Sequence, residues 1–153
     1  MSNPKSLNIP ELSTFKSFLE QLQGSLDAGQ CEAWFEVEGF DLSDTIFDAD
    51  QMFGAAYPDL HESKNDIVKS TVSEMTETIS ACITNPASFS PRFVKHNSQS
   101  LGYWNHLEGC IDYLHSEIYE CNHGVWYMCW NFVYVVYNER QRRCVVLFGG
   151  ASD

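Results

Sequence analysis

The segment Ile46-Phe47-Asp48-Ala49-Asp50 has the residue types and spacing of a reaction centre. A strand ending in Asp-x-Asp presents two carboxylates to magnesium, and the first can attack a phosphate. That chemistry also needs a lysine to hold the phosphate and a further acidic pair to complete the metal site. No such pair follows, the nearest cations are Lys64 and Lys69, and the strand–helix alternation that frames such sites is missing. A solvated acidic turn is the better reading. No Gly-x-Ser-x-Gly, phosphate-cradling Gly-rich loop or dinucleotide fingerprint occurs. His61, His96, His106, His115 and His123 stand isolated and read as solvated. The expectation is a chain with no catalytic residue, no metal and no cofactor.

Six cysteines are spread singly, at Cys31, Cys82, Cys110, Cys121, Cys129 and Cys144, and none forms a CxxC pair. Within apolar stretches they read as buried thiols of a reducing compartment. The tightest cluster, His115, Cys121 and His123, has no common zinc spacing. The net charge of −12 is unevenly placed: no Lys or Arg lies between Lys16 and Lys64, a span holding eleven acids from Glu20 to Glu62. Arg140, Arg142 and Arg143 form the basic cluster. Such a chain is not expected to bind a phosphate backbone, and a basic protein partner suits it better; taken alone, the charge also serves solubility. Trp126, Trp130, Phe132, Tyr134 and Tyr137 lie near those arginines, as a base-stacking platform would, but core packing fits them better.

The elements that must hold these residues follow from periodicity. Residues 1–7 read as a flexible N-terminal tail, and 8–150 as one domain. Met1 to Pro10 lacks the basic-then-apolar order of a signal peptide, and no apolar run is long enough for a membrane span. Asn8, Pro10 and Glu11 form a capping box ahead of Leu12, Phe15, Phe18, Leu19 and Leu22 at helical spacing, with Gly24 as the stop. Over 30–40, Cys31, Ala33, Phe35 and Val37 alternate with Glu32, Glu36 and Glu38, which predicts a half-buried strand. Thr45–Phe47 reads as the start of a second strand. Val68, Val72, Met75, Ile79 and Cys82 form a helical stripe from Ile67 to Asn85-Pro86, and residues 84–100 a loop. Trp104, Leu107, Ile111, Leu114 and Ile118 predict a third helix over 101–118. Val125–Tyr137 is apolar on both alternating faces, as befits the centre of a covered sheet; a polar turn and Cys144–Phe148 complete a hairpin. The fold class is α+β: a central antiparallel β-sheet with helices packed on it and the C-terminal β-hairpin in its centre.

The hairpin resembles the C-terminal signature of the Maf repressors of RNA polymerase III, in Trp130, Phe132, Tyr134, Tyr137, Asn138, Arg140 and Arg143. Upstream, Tyr103-Trp104-Asn105 is similar to the family's Leu-Trp-Asn, and Glu117-Ile118-Tyr119 to its Glu/Asp-Ile-Tyr. Tyr57-Pro58-Asp59 and Ser63 resemble the middle signature, and Glu36–Phe40 the N-terminal one. The likeness spans residues 7–148 in the family's order. Leu60, His61 and Glu62 replace the family's Tyr-Asp-Phe, and the long linker after the first signature is absent.

The resemblance implies a non-enzymatic monomer of nucleus and cytoplasm. Its implied partners are RNA polymerase III subunits, with TFIIIB an open second; no nucleic acid or membrane is expected. Such a protein would block the polymerase from engaging TFIIIB at tRNA and 5S rRNA promoters. The alternative is an acidic adaptor for another basic protein. The expected contact surfaces are the acidic stretch, through Asp41, Asp44, Asp48, Asp50, Asp59 and Glu62, and the turn carrying Arg140, Arg142 and Arg143. Ser90, followed by Pro91, is a candidate phosphate acceptor.

Overall fold

A computed structural model describes residues 4–26, 32–84, 98–124 and 130–152. Six strands pair into one antiparallel sheet, in the order β1-β2-β6-β5-β4-β3. The strands are β1 Lys5–Ser6, β2 Glu32–Asp41, β3 Lys64–Ser70, β4 Glu117–His123, β5 Trp130–Asn138 and β6 Arg143–Ser152. The helices are α1 Pro10–Leu26, α2 Ala49–Ala56, α3 Pro58–His61, α4 Val72–Thr84 and α5 Ser98–Cys110.

As expected for its two apolar faces, β5 lies inside the sheet, hydrogen-bonded to β4 and β6. One face carries Phe35, Val37, Phe132, Tyr134, Val136, Val145 and Leu147, packed under the apolar stripes of α1, α4 and α5. The opposite face carries Phe40, Val133, Val135, Tyr137, Val146 and Phe148, covered by Leu42, Met52 and Phe53 of the acidic segment. The α+β class and the position of the hairpin thus follow the sequence reading. The aromatic side chains of Trp130, Phe132, Tyr134 and Tyr137 are buried in these two cores and form no exposed stacking platform. Trp126 lies outside the described residues.

Several boundaries differ from the expectation. The residue 1–7 tail is ordered from Pro4: Lys5 and Ser6 pair with Asp41 and Phe40, and Leu7 is buried. Helix α1 begins at Pro10 and runs through Gly24 to Leu26. Gly24 is solvent-facing, and a side chain there would meet nothing. Thr45–Phe47 is no strand, because Asp48 caps α2 immediately afterwards. Ile67 and Val68 belong to β3 instead of the following helix. Thr71 then caps α4, its Oγ1 accepting the Glu74 N–H at 3.1 Å. The predicted third helix stops at Cys110; a 3-10 turn at Tyr113–His115 follows, and Ile118 sits in β4. The last strand continues past Phe148 to Ser152. Cys82, Cys110, Cys121 and Cys144 are buried free thiols. Burial pushes Cys82 and Cys121 up to about 12 and Cys110 up to about 11, so they are poor nucleophiles.

Candidate functional site

The acidic stretch and the basic turn meet on the α2–α3 side of the sheet. The turn Glu139–Arg142 joins the two central strands, with Arg142 N–H donating to the Glu139 carbonyl at 3.2 Å. Asn138 prepares it: its side-chain oxygen accepts the Gln141 N–H at 2.9 Å, and its amide donates to the Asp112 carbonyl at 3.1 Å. The signature asparagine therefore ties the hairpin to the segment after α5.

The arginines divide their roles. Arg142 stands in the left-handed backbone region, φ 53°. Its guanidinium donates to the Tyr137 hydroxyl and to the carbonyls of Leu42 and Thr45, each at 2.9 Å. Arg143 donates to the Cys110 carbonyl at the C-terminus of α5, at 3.1 Å, where the helix dipole favours a cation. Arg140 is 80% exposed and reaches Asp112 at 3.2 Å. Two of the three arginines named from sequence therefore brace the fold, and Arg140 is the one presented to solvent. Asp112, which no sequence signal singled out, gathers Arg140 and His115 through its carboxylate and Gln141 through its N–H.

The acids also divide. Asp41 accepts the Ser43 N–H at 2.9 Å, and this bond holds its carboxyl below the usual range. Asp44 meets Lys5 at 3.3 Å, both well exposed. Asp48 is the N-cap of α2 and accepts the Gln51 N–H at 3.2 Å. Asp50, in the first turn of α2, accepts from Lys64 and, at 2.9 Å, from His61. These bonds, Lys64 foremost, lower its carboxyl below the ordinary value. The Asp-x-Asp pair thus forms a helix cap and an inter-element latch, which is its structural role. Asp59 opens α3, and Glu62 ends it exposed. His61 is held by Asp50 and by the edge of Phe53, 5.3 Å away, while His123 is buried on β4; neither is the solvated histidine expected from sequence.

Between α3 and the sheet lies a cleft of about 310 Å³, lined by Trp34, Tyr57, Pro58, Asp59, Leu60 and Phe148. Tyr57, at the junction of α2 and α3, packs its ring on Phe148 at 5.2 Å. Its hydroxyl is buried with no hydrogen-bond partner among the described residues. Phe47 stacks face to face on Tyr137 at 4.0 Å and leans on Tyr119 at 5.6 Å. On the far side of the sheet, Trp104 donates its indole N–H to Ser80 Oγ at 3.0 Å and so joins α5 to α4. Glu117 pairs with Lys69 at 3.5 Å across β4 and β3. Ser90 lies outside the described residues.

Two crystal structures of citrus MAF1 superpose on this chain. One gives a TM-score of 0.58 at 14% identity, the other 0.63 at 13%, and each covers 93% of this chain and 98% of the citrus chain. This chain has the Maf fold. No family model matches the sequence, and no curated protein does. The likeness therefore rests on backbone arrangement, while the Maf-like motifs are short and scattered. Within the Maf fold, Tyr57, Trp104, Tyr119, Tyr137 and Asn138 stand where separate elements are joined.

Proposed function

We propose that this protein is a negative regulator of RNA polymerase III transcription. It binds the polymerase and blocks its engagement with TFIIIB at tRNA and 5S rRNA promoters. It works by occupying protein surface, without catalysis, metal or cofactor, as a monomer of nucleus and cytoplasm. RNA polymerase III subunits are its partners, with TFIIIB as a second contact. The observation that carries this reading is the Maf fold over 93% of the chain.

Charge supports it. Asp59 and Glu62 are exposed in and after α3, Asp44 is exposed ahead of α2, and Arg140 is exposed in the hairpin turn. A mostly acidic surface of this kind suits a basic protein face and speeds encounter with it. Asp41, Asp48 and Asp50 contribute charge to that surface while holding their own segment in place. Regulation by a phosphate on Ser90 is part of the proposal.

The test is in vitro transcription of a transfer-RNA gene with purified RNA polymerase III, TFIIIB and rising amounts of this protein. Transcript should fall with dose and recover on adding polymerase. Unchanged transcript, with the protein folded and the polymerase from its own organism, overturns the proposal. Co-purification that brings down a different basic protein and no polymerase subunit would identify an acidic adaptor.

A further inference from the structure

The face of the sheet under α2 and α3 holds an aromatic recess beside β2. Strand pairing sets Glu36 directly across from Phe148, and Glu38 across from Val146. Directly opposed residues of an antiparallel pair stand on the same face, as do residues two apart along one strand. Trp34, Glu36 and Glu38 therefore share the face of Phe148 and Val146, while Phe35 and Val37 face α1. Phe148 is buried and forms the floor of the recess. Trp34 and Tyr57, each half-buried, stand against it from β2 and from the α2–α3 junction. Their ring centroids lie 6.3 and 5.2 Å from that of Phe148, with planes inclined to it at 65° and 54°. Asp59 and Leu60 of α3 complete the cleft of about 310 Å³. That size is at the low end of ordinary ligand pockets, about 300–1,000 Å³, and suits one long side chain better than an extended ligand.

The charges beside this cleft are unanswered. No Lys or Arg lines it. Glu38 has Lys16 at 3.4 Å, but Glu36 and Asp59 have no ion pair among the described residues. Although Glu36 is exposed as a residue, its carboxyl is held above the ordinary range, by desolvation first and then by Glu38. The Tyr57 hydroxyl is also pushed up, by desolvation first and then by the charges of Glu36 and Glu38. Both carboxylates therefore act on a wall of the cleft. A cation entering it would meet aromatic ring faces and relieve this repulsion together. Ring faces attract a cation within about 6 Å of their centroids, and Trp does so best. The same surroundings repel a phosphate or a carboxylate.

We infer that this cleft takes one arginine side chain of a partner protein, its guanidinium lying against Trp34 and Tyr57 and its charge answered by Glu36 and Asp59. Arginine suits it better than lysine. A guanidinium is flat, weakly hydrated and stacks on aromatic faces while its donors fork toward a carboxylate; an ammonium is a compact, strongly hydrated point charge. An apolar side chain would fill the cleft and leave the carboxylates without a cation. The inference does not rest on the polymerase reading, since it assigns a side-chain chemistry to any partner that docks here.

The experiment titrates the full, isotope-labelled chain with end-blocked glycine peptides that carry one central arginine, citrulline or lysine. Citrulline keeps the long, flat side chain and loses the charge; lysine keeps the charge and loses the plane. The arginine peptide should shift the Trp34 indole N–H and the Leu60 methyl signals. Its own δ-methylene protons should move upfield under the ring currents. Affinity should fall about fivefold or more with citrulline and about threefold or more with lysine, as a lost cation–π contact and a lost carboxylate fork require. At low salt, Glu36→Gln/Asp59→Asn should weaken the arginine peptide about fivefold or more and change citrulline binding less than about twofold. Both acids are exposed, so this variant keeps its fold, which circular dichroism checks. Trp34→Leu should abolish the upfield shift. Glu77→Gln removes an exposed charge from α4 on the other face of the sheet and should change affinity less than about twofold. Equal affinity for the arginine and citrulline peptides overturns the inference, and so does equal affinity for arginine and lysine. Silence of the Trp34 and Leu60 signals up to about 10 mM arginine peptide, weaker than a millimolar contact, also overturns it. Concentration-dependent shifts of the same signals without peptide would overturn it by placing a second copy in the cleft.

Discussion

A left-handed backbone costs a residue with a Cβ about 1–2 kcal/mol, and Arg142 accepts that conformation at the end of the hairpin turn. Its three hydrogen bonds, to Tyr137, Leu42 and Thr45, offset the cost and join the turn to the acidic segment. Arg142→Ala keeps the strain and loses the bonds. The expected loss is about 2–4 kcal/mol, read from the urea midpoint. Arg140→Ala, an exposed neighbour, should change stability by less than about 0.5 kcal/mol. Asp50 gives a pH signature. Its folded carboxyl is depressed by Lys64 and then His61, so the latch is fully stabilising above the ordinary carboxyl value of about 3.9 and is lost as pH falls through the lower folded value. Asp50→Asn should therefore flatten the acid limb of the stability curve below about pH 4 and leave its neutral region least changed in slope; an unaltered limb would mean that other carboxylates carry it. The residue types at these positions were legible in the sequence, but their partners were not. Asp48 and Gln51 have the spacing of a capping box, which was the available sign that Asp48 begins a helix. Nothing local indicates that Arg142 reaches residues 42 and 45.

At the scale of elements, strong periodicity was read correctly and weak periodicity was not. The stripe of α1, the alternation of β2 and the doubly apolar β5 each bury the faces their patterns predict. β3 escaped because an edge strand exposed on both sides has no alternation to show, and Ile67 and Val68 happen to continue the stripe of α4. β4 escaped because Leu114 and Ile118 extend the spacing of α5, although Leu114 is 56% exposed. Gly149 and Gly150 hid the end of β6. A Cβ at Gly149 would lie 2.4 Å from the Phe132 ring, so the glycine makes room for an aromatic side chain of the neighbouring strand. Phe47 tests how the acidic segment is fastened. Phe47→Ala removes the stack on Tyr137 and the contact with Tyr119. Hydrogen exchange in α2 and α3 should accelerate while β5 and β6 stay protected, with a cost of about 1–2 kcal/mol. Uniform acceleration would instead make the segment part of the global cooperative unit.

For the whole molecule, a charge of −12 sets a background of self-repulsion that a few exposed ion pairs oppose only weakly. Raising ionic strength from about 0.01 to 0.15 M should therefore raise the thermal midpoint as the repulsion is screened. A falling midpoint would show that attractive pairs outweigh the net charge. The same screening should slow association with a basic partner. The sheet order has a consequence in time. β2 is made early, yet its long partner is β6, and the pairing runs from Glu32 with Ser152 to Asp41 with Arg143. During synthesis the N-terminal strand must wait for the last strand to emerge, and loop closure across nearly the whole chain precedes the pairing. Until then β2 exposes both of its edges, and Phe35 and Val37 lack the sheet that buries them. The growing chain is thus open to chaperones and to aggregation at β2 until β6 has emerged, and its glutamates at 32, 36 and 38 are the charges that keep that waiting strand soluble.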